Sequence, residues 1–99
     1  MGALRKEFLI VYDIEDNKIR KKLFDRFKDF GMNPIQKSVF WGLLNKAERQ
    51  CLEREIEILL NKKNTDKVLI IEIDIQKNIN TFFIGHSEND FKVSSHGII

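Results

Sequence analysis

The sequence predicts a single α+β domain of 99 residues, in which two helices cover one face of an open sheet. Apolar runs of strand length alternate with two amphipathic runs of helix length, in the order strand, helix, one or two strands, helix, strand, strand. The first strand is apolar on both faces, so each face needs a covering layer. This order, βαββαβ with an extra C-terminal strand, indicates a ferredoxin-like sandwich.

The first strand and helix are marked by an apolar run and by the signals that follow it. Residues 8–14 present apolar side chains to both faces. Asp16 or Asn17 can cap the next helix, because their short polar side chains accept hydrogen bonds from the first free amides. That helix runs to about Phe30, and Gly31 ends it. At 100° per residue its core-facing stripe consists of Ile19, Leu23, Phe27 and Phe30.

The middle of the chain predicts extended structure followed by a second helix. Residues 35–44 are rich in β-branched and aromatic side chains. They form either one bent strand or a tight pair of strands, with Gly42 marking a bulge or bend. Asn45 and Glu48 match a capping-box pattern that opens a helix at about 46–61. Its core stripe consists of Leu52, Ile56, Leu59 and Leu60.

Two more strands complete the domain, over residues 67–75 and 81–87. One face of the first carries Leu69, Ile71, Ile73 and Ile75. Two helices cover only one face of the sheet, so the other face needs a further layer. A second copy of the chain is the simplest source of that layer. The sequence therefore predicts a symmetric homodimer.

The composition is typical of a soluble globular protein, with 42% hydrophobic and 32% charged residues. No apolar stretch reaches the roughly 20 residues that span a membrane. The N-terminus lacks the apolar region of a signal peptide. One cysteine cannot form an internal disulfide, and His86 and His96 lack the spacing of zinc ligands. We therefore expect a cytoplasmic protein without membrane contact.

Asp13 follows the apolar residues of the first strand. A buried carboxylate is costly unless it is paired or bound to a cation, so we expect Asp13 at the exposed end of a central strand, binding a divalent metal. The alternative is an aspartate that forms a turn or a salt bridge. Arg20, in the first turn of the helix, points with the apolar side chains and needs an anionic partner. The nearest candidates include Asp13.

The charges are unevenly distributed along the chain. Residues 17–28 contain six basic residues and one acidic residue, whereas residues 48–60 contain four acidic and two basic residues. The first segment, which includes Lys18, Lys21 and Lys22, is a candidate surface for phosphate. The alternative is an ordinary solvated helix face.

Several of these features occur together in a known family. The strand that ends in VYDIEDN, Arg20 with Lys22 two positions later, a helix that ends at Gly31 and the run IQKSVFWG resemble the small CRISPR-associated endoribonuclease family. That family is the smaller partner of the spacer-acquisition integrase. The similarity extends in order from residue 8 to about residue 86.

The resemblance implies a ferredoxin-like homodimer in which the two copies of Asp13 face each other across the two-fold axis. Asp13 would be the metal ligand, for magnesium or alternatively manganese, and Asp13 and Arg20 would be catalytic. The residues that would bind nucleic acid are Lys18, Lys21, Lys22, Ser38 and Phe40. The resemblance also implies that the C-terminal strand crosses to the partner's sheet, with residues 88–99 as a tail that packs on the dimer partner.

Two departures from the family pattern reduce the negative charge near Asp13. Asp16 is followed by Asn17, where the family often has a second acid. Trp41 stands where the family often has glutamate. Neither departure removes the main carboxylate, but both predict weaker metal binding.

Three functions are compatible with these observations. The first is a magnesium-dependent nuclease of the CRISPR adaptation system that hydrolyses RNA or DNA, with endoribonuclease activity favoured. The second is a non-catalytic dimeric adaptor that bridges the integrase and holds duplex DNA. The third is a toxin-like ribonuclease, because a related toxin family resembles the same scaffold.

Overall fold

The computed structural model describes residues 4–60, 65–75 and 81–91. Its elements are β1 (Lys6–Asp13), α1 (Asn17–Asp29), β2 (Asn33–Gln36), β3 (Val39–Leu44), α2 (Lys46–Leu60), β4 (Lys67–Glu72) and a short 3₁₀ helix (Glu88–Phe91). The four strands form one antiparallel sheet in the order β2-β3-β1-β4. This arrangement confirms the predicted ferredoxin-like α+β fold.

β1 is a central strand, as its apolar faces predict. It pairs with β3 on one side and with β4 on the other, so that Ile10 lies opposite both Phe40 and Ile70. Alternate side chains of β1 point toward the helices and form the centre of the core. The buried core consists of Phe8, Ile10, Tyr12, Ile14, Leu23, Phe27, Met32, Phe40, Leu44, Leu52 and Ile56.

Helix α1 begins and ends where the sequence signals predict. Asp16 is the N-cap, and its Oδ1 accepts hydrogen bonds from the amides of Lys18 (2.8 Å) and Ile19 (3.1 Å). At the other end Gly31 has φ +83°, a conformation that glycine adopts without strain. The cap and the glycine fix both ends of the helix that carries the basic segment.

The stretch 35–44 belongs to a tight pair of strands rather than to one bent strand. β2 and β3 are joined by Lys37 and Ser38 alone. Gly42 lies inside β3, so the prediction of a bend there is wrong, and the register shift lies in β2 instead. A Cβ at position 42 would lie 3.0 Å from the Met32 Cα atom, so close packing explains the glycine.

Helix α2 opens with the predicted capping box. Asn45 Oδ1 accepts from the Glu48 amide at 2.7 Å, and Glu48 Oε1 accepts from the Asn45 amide at 2.8 Å. Arg5 also donates to the Glu48 carboxylate, at 3.0 Å. Leu52 and Ile56 bury the predicted stripe of this helix against the sheet.

β4 ends at Glu72, whereas the sequence predicts a strand to residue 75. Glu72 pairs with Phe8, close to the start of β1, so few residues of the partner strand remain. The Ile73 amide still donates to the Glu7 carbonyl at 2.9 Å. The Ile75 amide donates instead to Glu7 Oε2 at 3.2 Å. The Glu7 side chain therefore binds the Ile75 amide, which would otherwise continue the hydrogen bonding between β4 and β1.

The face of the sheet that turns away from the helices is partly uncovered. Val68 and Ile70 of β4 pack against the core, whereas Leu69 and Ile71 point to the other face and are 53% and 39% exposed. Val11 of β1 lies opposite Leu69 and is 37% exposed. We call Val11, Leu69 and Ile71 the outer patch.

Residues 81–91 do not form the predicted last strand. Phe91 packs edge-on against Trp41, with ring centroids 5.9 Å apart. His86 Nε2 lies 3.0 Å from Oε1 of Gln36 in β2. Side-chain contacts with β2 and β3 thus hold this segment in place of backbone hydrogen bonds between strands. His86, for which the sequence predicts no role, makes one of these contacts. The rest of the predicted tail lies outside the described residues.

A buried carboxylate lies beside this segment. Glu7 is only 7% exposed, and its Oε2 accepts from the Trp41 indole N–H at 2.6 Å and from the Ile75 amide at 3.2 Å. These two donors offset the cost of removing the charge from water.

Trp41→Phe is expected to lower the free energy of unfolding by about 2–3 kcal/mol, because Glu7 stays buried and loses its side-chain donor. Denaturant unfolding followed by circular dichroism measures the loss. The double variant Trp41→Phe/Glu7→Leu should recover part of it, since two apolar partners leave no unpaired group. Equal losses in the single and double variants would contradict this assignment.

Candidate functional site

Asp13 is the last residue of β1, and its side chain is exposed, as predicted. It lies opposite Lys67 of β4 and alternates onto the same face as Val11, next to the outer patch. Its neighbours Tyr12 and Ile14 are buried on the helix side, at 7% and 3% exposure. These two anchors hold the strand end so that the carboxylate projects from the outer face.

One chain presents one carboxylate to a metal at this place. Among residues 4–60, 65–75 and 81–91, no group of three or more His, Cys, Asp and Glu side chains is arranged to hold a metal ion. Magnesium usually keeps several waters and binds one or two protein carboxylates together with substrate phosphates. Asp13 therefore fits a magnesium ligand, provided that substrate or a second chain completes the site.

Arg20 fastens the loop that follows Asp13. Its Nη1 donates to the Ile14 carbonyl at 2.7 Å, and its Nη2 donates to Asn17 Oδ1. Asp13, one of the candidate partners expected for Arg20, is not its partner, because Asp13 points to the outer face of the sheet whereas Arg20 lies on the helix side. The guanidinium holds the backbone beside the carboxylate and does not contact the carboxylate itself.

Asp66, which no sequence pattern singles out, supports the same loop. Its Oδ1 accepts from the Glu15 amide at 3.0 Å, across 51 positions of sequence. Its Oδ2 is buried and has no hydrogen-bond partner among the residues that the structure describes. A buried unpaired acceptor is costly and uncommon in native structures. Nothing in the polar segment before β4 distinguishes Asp66 from an ordinary loop acid.

Tyr12 connects the strand end to the turn between β2 and β3. Its amide donates to the Ser38 carbonyl at 3.1 Å. Burial raises the pKa of the Tyr12 phenol, and the positive charge of Arg20 partly offsets that rise. The phenol therefore stays protonated at neutral pH and remains a hydrogen-bond donor.

The three lysines of the predicted nucleic-acid surface are exposed on α1. Lys21 pairs with Asp25 at 3.1 Å, and both side chains are more than half exposed. Such a surface pair contributes little to stability and is easily exchanged for a phosphate. Lys18 and Lys22 are also exposed. All three ammonium groups are therefore accessible to a polyanion, and they fit an ordinary solvated helix face equally well.

Ser38 and Phe40, the other two residues predicted to bind nucleic acid, differ in their accessibility. Ser38 is half-buried and lines a groove with Arg20 and Lys21, so these predicted residues come together. Phe40 is 0% exposed, with its ring edge-on to Phe24 at 5.1 Å. The prediction that Phe40 contacts nucleic acid is wrong, because β3 is an inner strand that α1 covers on the helix side.

Comparison with known proteins identifies the family. The family model described as CRISPR associated protein Cas2 matches residues 6–80. The chain belongs to the Cas2 family. The match covers β1 through β4, and so it includes Asp13, the basic helix and the turn that carries Ser38.

The relatives of this Cas2-family chain agree with that assignment. It is 37% identical over 89 residues to the CRISPR-associated endoribonuclease Cas2 1 of Francisella tularensis subsp. novicida, which covers 90% of each chain. It is 32% identical over 73 residues to a CRISPR-associated endonuclease Cas1/endonuclease Cas2 fusion of Thermoproteus tenax, covering 74% of this chain and 27% of the fusion.

Solved structures show the same fold. The crystal structure of a hypothetical protein from Thermus thermophilus matches with a TM-score of 0.70 and 25% identity, over 84% of this chain and 96% of that one. A Cas2 crystal structure matches with a TM-score of 0.67 and 24% identity, over 92% and 99% of the two chains. Within the described residues, neither helix of this chain has the length and apolar character of a membrane span.

Proposed function

We propose that this chain is a metal-dependent endonuclease of the CRISPR adaptation system that acts in the cytoplasm, with RNA as the favoured substrate. The observation that carries the proposal is the position of Asp13, an exposed carboxylate at the end of the central strand and beside an exposed apolar patch. The Francisella relative is named an endoribonuclease, which supports the choice of RNA.

The proposed active form is a homodimer that joins through the outer patch. Val11, Leu69 and Ile71 lie on two neighbouring strands and are each more than a third exposed. Contiguous exposed apolar surface of this kind marks an interaction site. A two-fold axis through the patch would bury it and bring the two copies of Asp13 to one interface. The second chain would then supply the second carboxylate.

The two Asp13 side chains would hold Mg²⁺, with Mn²⁺ as the alternative ion. Such an ion, if bound, would act as a Lewis acid and would activate water for phosphodiester hydrolysis. Arg20 holds the loop beside the carboxylate through the Ile14 carbonyl. The lysines of α1, Lys18 and Lys22 among them, attract the phosphate backbone to this end of the sheet.

A non-catalytic adaptor is the second candidate. The Thermoproteus relative joins a Cas1 and a Cas2 endonuclease in one protein, which supports an integrase subunit as the partner of this chain. In the adaptor role the dimer would hold duplex DNA on the lysines of α1, and Asp13 would be structural.

Metal removal is the first test. Cleavage of single-stranded RNA by the wild-type chain is expected to fall to background when a chelator replaces magnesium, and to return when magnesium or manganese is added. The assay compares single-stranded RNA with duplex DNA of the same sequence. Cleavage that persists in chelator contradicts metal dependence. Absence of cleavage with magnesium, together with tight binding of duplex DNA, favours the adaptor.

A further inference from the structure

A groove on the helix side of the sheet lies apart from the Asp13 carboxylate, which projects from the outer face, and shares only Arg20 with the site proposed there. It has a volume of about 660 Å³ and lies between α1 and the turn from β2 to β3. Arg20, Lys21 and Phe24 line it from α1, and Lys37 and Ser38 line it from the turn. Sites for small ligands have volumes in this range. We call this space the turn groove.

Part of the lining of the turn groove is apolar. Its apolar and aromatic residues are Tyr12, Phe24, Pro34 and Ile35. The Phe24 ring is half-buried and packs edge-on against Phe40 at 5.1 Å, which holds its orientation. The Lys28 ammonium lies over this ring, 5.7 Å from its centroid, so a planar group would stack on the ring by displacing this exposed lysine.

The charged part of the lining is entirely cationic. Arg20, Lys21 and Lys37 belong to it, and among the lining residues that the structure describes none is acidic. An apolar surface with cations at its edge matches the chemistry of a nucleotide, whose base is flat and apolar on its faces and whose phosphate is anionic.

The three cations differ in how far they are available. Arg20 is committed to the Ile14 carbonyl and to Asn17. Among residues 4–60, 65–75 and 81–91, Lys21 has a surface pair with Asp25 alone, at 3.1 Å. Lys37 is exposed in the turn and makes no ion pair within the described part of the chain. The ammonium groups of Lys21 and Lys37 can therefore bind a phosphate without breaking a buried contact.

The turn is held rigidly against the strand end. Ser38 has φ +64°, a left-handed conformation that is uncommon for a residue other than glycine. Its carbonyl accepts from the Tyr12 amide at 3.1 Å, which ties the turn to β1. Strained residues of this kind persist where the surroundings determine them, often at binding sites. The wall of the groove that carries Lys37 is thus fixed in place before a ligand arrives.

We infer that the turn groove binds one unpaired nucleotide of the substrate strand, with the base against Phe24 and a phosphate beside Lys21 and Lys37. This inference rests on the proposed function, because it takes nucleic acid as the ligand, and it specifies which form of nucleic acid is bound. A duplex keeps its bases stacked and paired, so it would offer phosphates to the lysines but nothing to the apolar residues. The groove therefore selects single strands.

The test measures binding of fluorescein-labelled probes by anisotropy, with a chelator present so that no cleavage occurs. The probes are an eight-nucleotide oligoadenylate, an RNA duplex of the same length and a ribose-phosphate oligomer that lacks bases. Phe24→Leu should weaken binding of the oligoadenylate about tenfold and change binding of the other two probes by less than about twofold. Phe24→Tyr should bind like the wild type, which separates stacking from misfolding.

Lys37→Ala tests whether this lysine contacts a phosphate of the ligand. It should weaken the oligoadenylate complex and reduce the slope of log K against log salt by about 0.7, the value for one phosphate contact with a single strand. Lys46→Ala, an exposed lysine at the start of α2, removes the same charge outside the groove and should leave that slope unchanged.

Two results would overturn the inference. If the oligomer without bases binds the wild type as tightly as the oligoadenylate does, the groove is a phosphate site only. If Phe24→Leu weakens the duplex as much as the single strand, the effect is structural. Neither result depends on catalysis, so a failure of the proposed nuclease at Asp13 leaves the binding test interpretable.

Discussion

Asp13→Asn is expected to lower the rate of RNA cleavage by about a hundredfold or more while leaving the fold intact. The substitution keeps the size of the side chain and one oxygen acceptor but removes the negative charge that magnesium requires. Metal assistance is worth several kcal/mol at the transition state, and each ~1.4 kcal/mol corresponds to a factor of ten in rate. The side chain is exposed at a strand end, so its replacement should hardly change stability.

The matched control for this variant is Glu57→Gln. Glu57 is an exposed acid on α2, on the opposite side of the sheet from the outer patch, and its substitution makes the same change in charge. Single-turnover cleavage at saturating magnesium, with thermal unfolding of each variant, gives the comparison. Equal cleavage by Asp13→Asn and the wild type would place the chemistry elsewhere. If neither the wild type nor Asp13→Asn cleaves RNA and both bind duplex DNA, the adaptor role is favoured.

The fold could be predicted from the sequence because its main signals are local. The two-sided apolar run of β1, the cap at Asp16 and the capping box at Asn45 each depend on a few neighbouring residues, and each is confirmed. The turn at Lys37 and Ser38 could not be recognised, because a tight hairpin usually shows Asn-Gly or Asp-Gly where the backbone needs φ above zero. Here Ser38 adopts that conformation without the usual signal.

The ends of the sheet depend on contacts that no local pattern records. β4 stops early because the Glu7 carboxylate, 68 positions away in sequence, takes the Ile75 amide. Residues 81–91 pack through Phe91 and His86 on β2 and β3 instead of extending the sheet. Apolar content alone predicts a strand in both places, and the tertiary partner decides the outcome.

In the candidate site, too, local features could be predicted from the sequence and tertiary contacts could not. Asp13 could be predicted because a charge at the end of an apolar strand is visible in the sequence. The contact between Arg20 and the Ile14 carbonyl could not be predicted, since every residue has a backbone carbonyl. The burial of Phe40 depends on α1 covering β3, which alternation along the strand does not reveal. Asp66 stands out only in the fold, where its Oδ2 is buried and has no hydrogen-bond partner among the residues that the structure describes.

Leu69→Asp is expected to convert the proposed homodimer into a folded monomer that lacks nuclease activity. Leu69 is 53% exposed in the isolated chain, so a carboxylate there can remain solvated in the monomer. In a dimer joined through the outer patch the same carboxylate would be buried without a partner, and the two-fold axis would place it at the interface twice. Sedimentation velocity measures the mass, and the RNA cleavage assay measures the activity.

Ile58→Asp is the matched control, because Ile58 is an exposed apolar residue, 70% accessible, on α2 and away from the outer patch. This control should stay dimeric and active. A dimeric Leu69→Asp chain would show that the copies join through a different face. A monomeric Leu69→Asp chain that still cleaves RNA would show that one Asp13 and the substrate suffice to hold the metal. Loss of mass and of activity together, with unchanged thermal unfolding of the monomer, is the result that places the chemistry of Asp13 at the two-fold axis.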